Sequence, residues 1–176
     1  GAASLTGSDE VAALDQHVRE VFLAWREPVY RYLLAVTGNA VDAEDLAQET
    51  FIRLFQDLQK ERRIDSPRAW LFRVAHNLAV DFNRQPYRSR AADCRVLDGE
   101  AGARQDPAPN AESEILEREQ RERLLARLSP QERRCMELRT EGFRYREIAE
   151  ILGIRVPTVQ TVLARAIRKL SSEDHV

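Results

Sequence analysis

The chain has few of the residues that cross-link small domains or bind metals. Its two cysteines, Cys94 and Cys135, lie far apart among 176 residues. Two unclustered thiols provide neither a disulfide framework nor a zinc site. The histidines His17, His76 and His175 are also scattered. This composition argues against a disulfide-rich secreted fold and against a metal centre, and we expect no cofactor.

Long apolar runs and strand-like alternation are scarce as well. No apolar run approaches the roughly 20 residues that a membrane-spanning helix requires, and no signal peptide is recognisable at the start. Hydrophobic residues make up 43% of the chain and charged residues 32%, and the apolar positions recur with helical spacing. We therefore expect an all-α protein that is cytoplasmic and does not insert into a membrane.

The overall excess of charge is small, but charge is strongly segregated along the chain. The net charge is −2 overall, yet it is −6 over residues 1–58, +5 over 59–95, −5 over 96–119 and +6 over 120–170. A protein that neutralises nucleic-acid phosphates needs positive charge at the contact, and it need not be basic overall. Two basic blocks separated by an acidic one favour two nucleic-acid contacts, although ordinary variation between helix faces would also produce such blocks.

The apolar periodicity divides the chain into two helical domains. Residues 1–8 are expected to be a frayed or added N-terminal stretch. Residues 9–85 predict four helices: one running into Pro28, one from Val29 to Gly38, one capped by Asn39, and one that starts at Ser66 and Pro67. Residues 86–112 lack a period and are rich in Pro, Gly and Ala, which predicts a flexible linker. Residues 113–172 form the second domain, in which Ser129 to Glu132 match a capping box.

Residues 145–170 have the pattern of a helix-turn-helix, a common DNA-reading motif. Gly153 stands where the first helix must end in a left-handed residue, and Pro157 fits the first turn of the second helix. An ordinary helical hairpin with a basic face is the alternative. The residues expected to face outward and reach DNA are Arg144, Arg146, Arg155, Thr158, Gln160, Thr161, Arg165 and Arg168.

An acidic helix in the first domain is harder to explain by folding alone. Asp45 and Glu49 are four residues apart and share a face with Gln48, so the two carboxylates repel each other. This pattern has three interpretations: the face binds a basic partner protein, it belongs to a metal-dependent hydrolase, or it is merely solvated. The metal reading is weak because no Glu-x-x-His motif occurs.

A basic loop and an aromatic helix follow. Basic side chains interleaved with rings are typical of surfaces that bind single-stranded nucleic acid, although for Trp70 and Phe82 we favour a place in the core. Phe72 and Tyr87 complete the ring set. The polar residues that we expect to contact nucleic acid here are Lys60, Arg62, Arg63, Arg68, Arg73, Asn77, Asp81 and Arg84.

Two long segments resemble one family. The motifs DAEDLAQETF and AWLFRVAHN, in this order and spacing, resemble the region-two domain of extracytoplasmic-function (group four) bacterial sigma factors. The segment LLARLSPQERRCMELRTEGFRYREIAEILGIRVPTVQTVLARAIRKL resembles their region-four domain. The likeness covers about residues 29–84 and 113–170.

The resemblance implies a mechanism without a catalytic group. It implies that Asp45, Gln48 and Glu49 dock on core RNA polymerase, and that the 59–66 loop and the next helix capture a flipped base of the minus-ten promoter element. It implies that the last helix enters the major groove at the minus-thirty-five element. An anti-sigma factor is a further expected partner. A helix-turn-helix repressor or activator with a sensing or dimerisation domain remains the alternative.

The chain also departs from the family pattern in the second helix of the motif. Gln160, Val162 and Ala164 stand where family members often carry basic residues or a histidine. Tyr145 stands where a Ser or Thr would cap the preceding helix better. The minus-thirty-five sequence that this chain prefers therefore does not follow from the resemblance.

Overall fold

The computed structural model describes residues 6–85 and 111–172, and these ranges form seven α-helices. The predicted all-α fold is thereby confirmed. Within the described ranges, no helix is both long and apolar enough to cross a membrane. The helices are α1 (Thr6–Thr37), α2 (Ala40–Gln59), α3 (Pro67–Arg84), α4 (Ala111–Ala126), α5 (Pro130–Thr140), α6 (Tyr145–Leu152) and α7 (Val156–Ser171).

The first domain has three helices rather than the predicted four, because α1 continues through Pro28. A proline inside a helix removes one hydrogen bond and costs roughly 3 kcal/mol. Val29, directly after it, and Leu33, one turn further on, are completely buried. Burying each such side chain stabilises the fold by about 1.5–3 kcal/mol. Tertiary burial therefore outweighs the local cost of the proline. The helix also begins at Thr6, inside the stretch expected to be frayed.

Local capping places the other two helices of this domain. The Asn39 side chain accepts hydrogen bonds from the backbone N–H groups of Val41 (2.8 Å) and Asp42 (3.2 Å). Ser66 caps α3 in the same way, and Pro67 follows in its first turn. The helices α1, α2 and α3 pack against one another around Leu54 and Leu71. The predicted starts of α2 and α3 are confirmed.

In the second domain, α5 begins with the predicted capping box. The Ser129 hydroxyl accepts from the Glu132 N–H, and the Glu132 carboxylate accepts from the Ser129 N–H. The same carboxylate receives a hydrogen bond from Lys169 of α7 at 2.7 Å. The box therefore starts α5 and also joins it to the last helix.

The two domains pack directly against each other. The rings of Phe72 on α3 and Phe143, which follows α5, meet edge-to-face with centroids 4.9 Å apart, and both side chains are fully buried. The Arg68 guanidinium lies over the Phe143 ring at 3.9 Å and over the Trp25 ring at 5.4 Å, and it donates to the Glu141 carbonyl. The predicted linker falls mostly on residues 86–110, which lie outside the described residues.

The turn between α5 and α6 allows this close approach. Gly142 has a φ of +86°, a conformation that L side chains rarely adopt. A Cβ at this position would lie 3.4 Å from the Arg68 guanidinium. Glycine therefore supplies both the turn and the space for Arg68.

A buried polar pair lies beside the contact between the domains. The Tyr32 hydroxyl and His76 Nδ1 are 2.9 Å apart, and His76 is only 6% exposed. Burial, and then the nearby Arg134 of α5, lower the pKa of His76 to about 4. Burial also raises the pKa of the Cys135 thiol to about 11, so this side chain stays protonated at neutral pH. His76 is accordingly neutral in the folded chain.

This pair predicts a loss of stability at acid pH. Unfolded His76 takes up a proton near pH 6.5, whereas the folded residue resists protonation until about pH 4. The unfolded state therefore binds more protons in this window, and the free energy of unfolding falls as the pH drops, by about 3 kcal/mol from this residue. Urea unfolding of the wild type and of His76→Gln between pH 7 and 4 measures the difference. If the free energy of unfolding fell equally with pH in the two proteins, His76 would not be the source of the loss.

Candidate nucleic-acid and partner interfaces

One face of α2 is fully open to solvent and mixes acidic with apolar residues. Asp45 and Gln48 are exposed, and Glu49 is half-buried and forms an ion pair with Arg53 at 2.7 Å. The repulsion expected between Asp45 and Glu49 is therefore reduced by a cation on the same helix. The three residues predicted to bind a partner lie side by side on this helix.

Three apolar residues extend this face, and sequence reasoning missed them. Val41, Ile52 and Phe55 are 68%, 51% and 37% exposed. With Asp45 and Gln48 they recur at intervals of four, three, four and three residues. This spacing is the signal that could have revealed them, because it is the repeat of a helix that packs along another helix. We name the set Val41, Asp45, Gln48, Ile52 and Phe55 the α2 stripe.

The loop between α2 and α3 presents three exposed cations. Lys60 ends α2, Arg62 lies 3.5 Å from Asp57, and Arg63 lies 2.9 Å from Asp65. Pairs this exposed contribute little to stability. The arginines can therefore exchange their carboxylate partners for phosphates at small cost.

The outward face of α3 carries most of the residues predicted for nucleic acid. Arg73, Asn77, Asp81 and Arg84 are all exposed and lie along one stripe. Arg68 lies apart from them, because its guanidinium is held between Trp25 and Phe143. The structure therefore brings together four of the five α3 residues that the sequence predicted.

The aromatic residues of this segment form a smaller nucleic-acid surface than the sequence suggested. Phe72 is completely buried against Phe143, so the expectation that it is available for bases is wrong in this conformation. Trp70 and Phe82 are partly buried, and Trp70 packs against the core. Tyr87 lies outside the described residues. The core explanation offered for Trp70 and Phe82 therefore fits Trp70, and Phe72 also belongs to the core.

The helix-turn-helix is formed by α6 and α7. Gly153 ends α6 with a φ of +65°, the left-handed conformation expected there. Pro157 lies in the first turn of α7. Val159, Val162 and Leu163 are buried against the core. These local predictions are confirmed.

The opposite face of α7 is polar and exposed. Gln160, Thr161, Arg165 and Arg168 face solvent, while Thr158 is half-buried. The Thr161 hydroxyl donates to the Pro157 carbonyl at 3.0 Å, which fixes its rotamer. This face combines donors and acceptors of the kind that read base edges in the major groove.

The flanking arginines are free to meet phosphates. Arg144 and Arg146 at the start of α6, and Arg155 before α7, are exposed. The N-cap of α6 is Arg144 rather than Tyr145, and Glu147 accepts from the Arg144 backbone N–H at 2.7 Å. Within residues 6–85 and 111–172, no carboxylate pairs with the side chains of Arg144, Arg146, Arg155, Arg165 or Arg168. This region therefore differs from the 60–66 loop, where two arginines are paired.

The described residues offer no alternative metal site. No three His, Cys, Asp or Glu side chains come together as potential ligands in the part of the chain that the structure describes. The carboxylates of α2 are spread along a convex helix face, a geometry that suits a docking surface.

Family models match both domains. The Sigma-70 region 2 model matches residues 21–89, and the Sigma-70 region 4 model matches residues 118–170. The ECF RNA polymerase sigma factor SigL of Mycobacterium tuberculosis is 31% identical over 97% of this chain and 91% of its own length. The chain belongs to the ECF family of RNA polymerase sigma factors.

A second relative and a solved structure are also similar to this chain. RNA polymerase sigma factor YlaC of Bacillus subtilis is 27% identical over 85% of this chain and 87% of its own length. The sigma factor RpoE of Bartonella quintana, solved in complex with the anti-sigma factor NepR, matches with a TM-score of 0.60 at 20% identity, over 88% of this chain and 94% of that one. At that identity the structural likeness concerns the fold. For this ECF sigma factor, the repressor alternative is not favoured.

The exposure of the α2 stripe predicts a contrast in stability between neighbouring residues. Ile52→Ser should change the free energy of unfolding by less than about 1 kcal/mol, because the side chain already contacts water. Leu54→Ala, two residues away but fully buried, should cost about 2–5 kcal/mol. Urea denaturation measures both. Equal losses for the two variants would place Ile52 in the core and remove it from the stripe.

Proposed function

We propose that this ECF sigma factor binds core RNA polymerase through the α2 stripe, the minus-ten promoter element through the 60–66 loop and α3, and the minus-thirty-five element through α7. The observation that carries the proposal is the exposed α2 stripe, because a repressor or activator needs no such face beside a basic surface. A docking face and two unlike basic surfaces on one chain suit a subunit that holds both polymerase and promoter.

The chemistry of the α2 stripe defines its partner. Its helical repeat favours a partner helix or coiled coil, and its acidic centre favours basic side chains on that partner. Val41 lies at one end of the stripe and Ile52 and Phe55 at the other, so the apolar contacts flank the charged ones. The apolar ends would supply much of the affinity, and Asp45 with Glu49 would guide the encounter.

At the minus-ten element, binding would itself open the DNA. Asn77 and Arg84 on α3 can form bidentate hydrogen bonds with base edges, while Lys60, Arg62 and Arg63 neutralise the backbone. A base that leaves the duplex also exposes its Watson–Crick edge, which pairing otherwise occupies. A surface that binds unstacked bases more tightly than paired ones shifts the duplex toward the melted state, so no catalytic step is required.

At the minus-thirty-five element, α7 would lie in the major groove. Arg165 and Gln160 would contact bases, and Arg144, Arg146 and Arg155 would contact phosphates. Because Gln160, Val162 and Ala164 differ from the usual family residues, we expect the preferred sequence to differ from that of relatives with basic residues there. We also propose that an anti-sigma factor holds the protein inactive and that the protein acts in the cytoplasm. The complex of the similar RpoE with the anti-sigma factor NepR supports the proposal of an anti-sigma partner.

Charge reversal on α2 tests the polymerase contact. Asp45→Lys with Glu49→Lys should abolish binding to core RNA polymerase and promoter-dependent transcription while the helical fold is retained, because both carboxylates contact solvent. Binding is measured by co-elution with purified core enzyme. The matched control is Glu112→Lys with Glu119→Lys on α4, where Glu119 pairs with Arg123 as Glu49 pairs with Arg53. Retained transcription in the α2 variant would refute the docking assignment.

Two arginine variants separate base reading from backbone contact. Arg165→Ala should weaken binding to the minus-thirty-five duplex by about 1–3 kcal/mol and relax sequence preference at one position. Arg155→Ala should weaken binding evenly across sequences and reduce the slope of log affinity against log salt by about one. Fluorescence anisotropy on a set of single-substitution duplexes measures both. A sequence-independent loss for Arg165→Ala would make it a phosphate contact.

A further inference from the structure

The loop after α2 contains a residue whose backbone conformation disfavours its own side chain. Glu61 has a φ of +54°, the one positive φ outside glycine among the residues that the structure describes. The Glu61 N–H donates to the Leu58 carbonyl and the Arg62 N–H to the Asp57 carbonyl, both at 3.1 Å. These two bonds form a Schellman motif, in which glycine usually takes the left-handed position because a Cβ clashes there. Local chemistry therefore favours glycine at position 61, and the glutamate needs another explanation.

The carboxylate of Glu61 is exposed and unpaired in the middle of a basic segment. The two other acidic residues nearby, Asp57 and Asp65, each form an ion pair with an arginine of the loop. Within residues 6–85 and 111–172, the Glu61 side chain has neither an ion pair nor a hydrogen bond. Its two oxygens are therefore available to donors on a bound molecule.

A carboxylate at this place works against phosphate binding. Lys60, Arg62 and Arg63 are exposed and attract phosphates, whereas a negative charge beside them repels phosphates. Carboxylates nevertheless occur in DNA-binding surfaces where they accept hydrogen bonds from the amino groups of bases. A contact between Glu61 and a base would offset both the repulsion and the unfavourable backbone conformation.

We propose that Glu61 determines which base the 60–66 loop accepts, and that this base is an unpaired guanine of the minus-ten element. The inference rests on the proposed function, because it assumes that this loop binds the minus-ten element. An ionised carboxylate can only accept hydrogen bonds. The Watson–Crick edge of guanine carries two adjacent donors, N1–H and N2–H, which match the two oxygens of one carboxylate.

The other three bases fit the Glu61 carboxylate less well. Adenine and cytosine each place one amino donor beside a ring nitrogen that accepts, and thymine places one N–H between two carbonyl oxygens. A carboxylate oxygen that faces such an acceptor is repelled, so these bases are rejected as well as less tightly bound. In the paired duplex the same edges are occupied, and Glu61 therefore selects guanine only after the base has left the stack. The neighbouring cations supply affinity for the backbone, and Glu61 supplies selectivity.

Promoter selection with substituted proteins tests the proposal on the whole chain. Each protein, with purified bacterial core RNA polymerase, transcribes a random-sequence library, and sequencing of the productive templates gives the base frequencies at every position. The wild type should select guanine at one position of the minus-ten element. Glu61→Gln should lose this preference, because an amide offers one donor and one acceptor and so matches an edge of every base. The matched control, Asp65→Asn, removes the same charge from the same loop and should keep the preference.

A modified base tests the contact itself. Hypoxanthine in place of the selected guanine lacks only the 2-amino group, and so one of the two donors. The probe is promoter DNA that is single-stranded across the minus-ten element on the strand that carries this base. The affinity of the wild-type protein bound to core polymerase should fall about tenfold, as expected for the loss of a hydrogen bond to a charged group. The affinity of Glu61→Gln should be nearly the same for the two bases.

A glycine variant separates the base contact from the fold. Glycine adopts the left-handed conformation without a Cβ clash, so the melting temperature of Glu61→Gly should equal or exceed that of the wild type. The same variant should select no guanine, because the carboxylate is gone. A folded Glu61→Gly protein that kept the guanine preference would overturn the proposal.

The two hypotheses fail in different ways. If the wild type gives no transcription that depends on the protein, the proposed function itself is wrong. If the wild type is active but selects no guanine, or if Asp65→Asn loses the preference together with Glu61→Gln, the inference about Glu61 is wrong and the proposed function stands. Selection of cytosine instead would indicate a major-groove contact with a paired base, and it would also overturn the inference.

Discussion

The guanidinium of Arg68 lies between aromatic rings of two domains, and the packing of the domains against each other depends on that contact. Trp25 belongs to the first domain and Phe143 to the second. A planar guanidinium suits this position because it can stack on rings while donating hydrogen bonds in its own plane. Its Nε atom is buried without a hydrogen-bond partner in the described structure. This unmet bond makes the contact less stable than a fully satisfied one.

Features set by local chemistry could be predicted from the sequence. Asn39, Ser66 and the Ser129 capping box start helices because their side chains bond to nearby backbone groups, and Gly153 ends a helix because it adopts a left-handed conformation. The exposed stripe of Asn77, Asp81 and Arg84 also followed from helical spacing. Each of these predictions needs only a few neighbouring residues.

Features that depend on tertiary packing could not be predicted in this way. Pro28 looked like a helix end, but burial of the residues after it keeps α1 continuous. Arg68 and Phe72 looked like nucleic-acid contacts, and only the approach of Phe143 from the other domain shows why they are withdrawn from solvent. Ile52 and Phe55 are apolar residue types that usually lie in a core, and only their exposure in the folded chain places them on the α2 stripe.

The central claim is that one chain directs core polymerase to two separate promoter elements. Transcription in vitro from a random-sequence DNA library, with purified bacterial core RNA polymerase and this protein, followed by sequencing of the templates that yield transcripts, tests it most directly. The account predicts transcripts that depend on the protein, from templates that share two unlike elements at one preferred spacing upstream of the start point. Transcripts that do not require the protein, or selection of a single palindromic element, would contradict it.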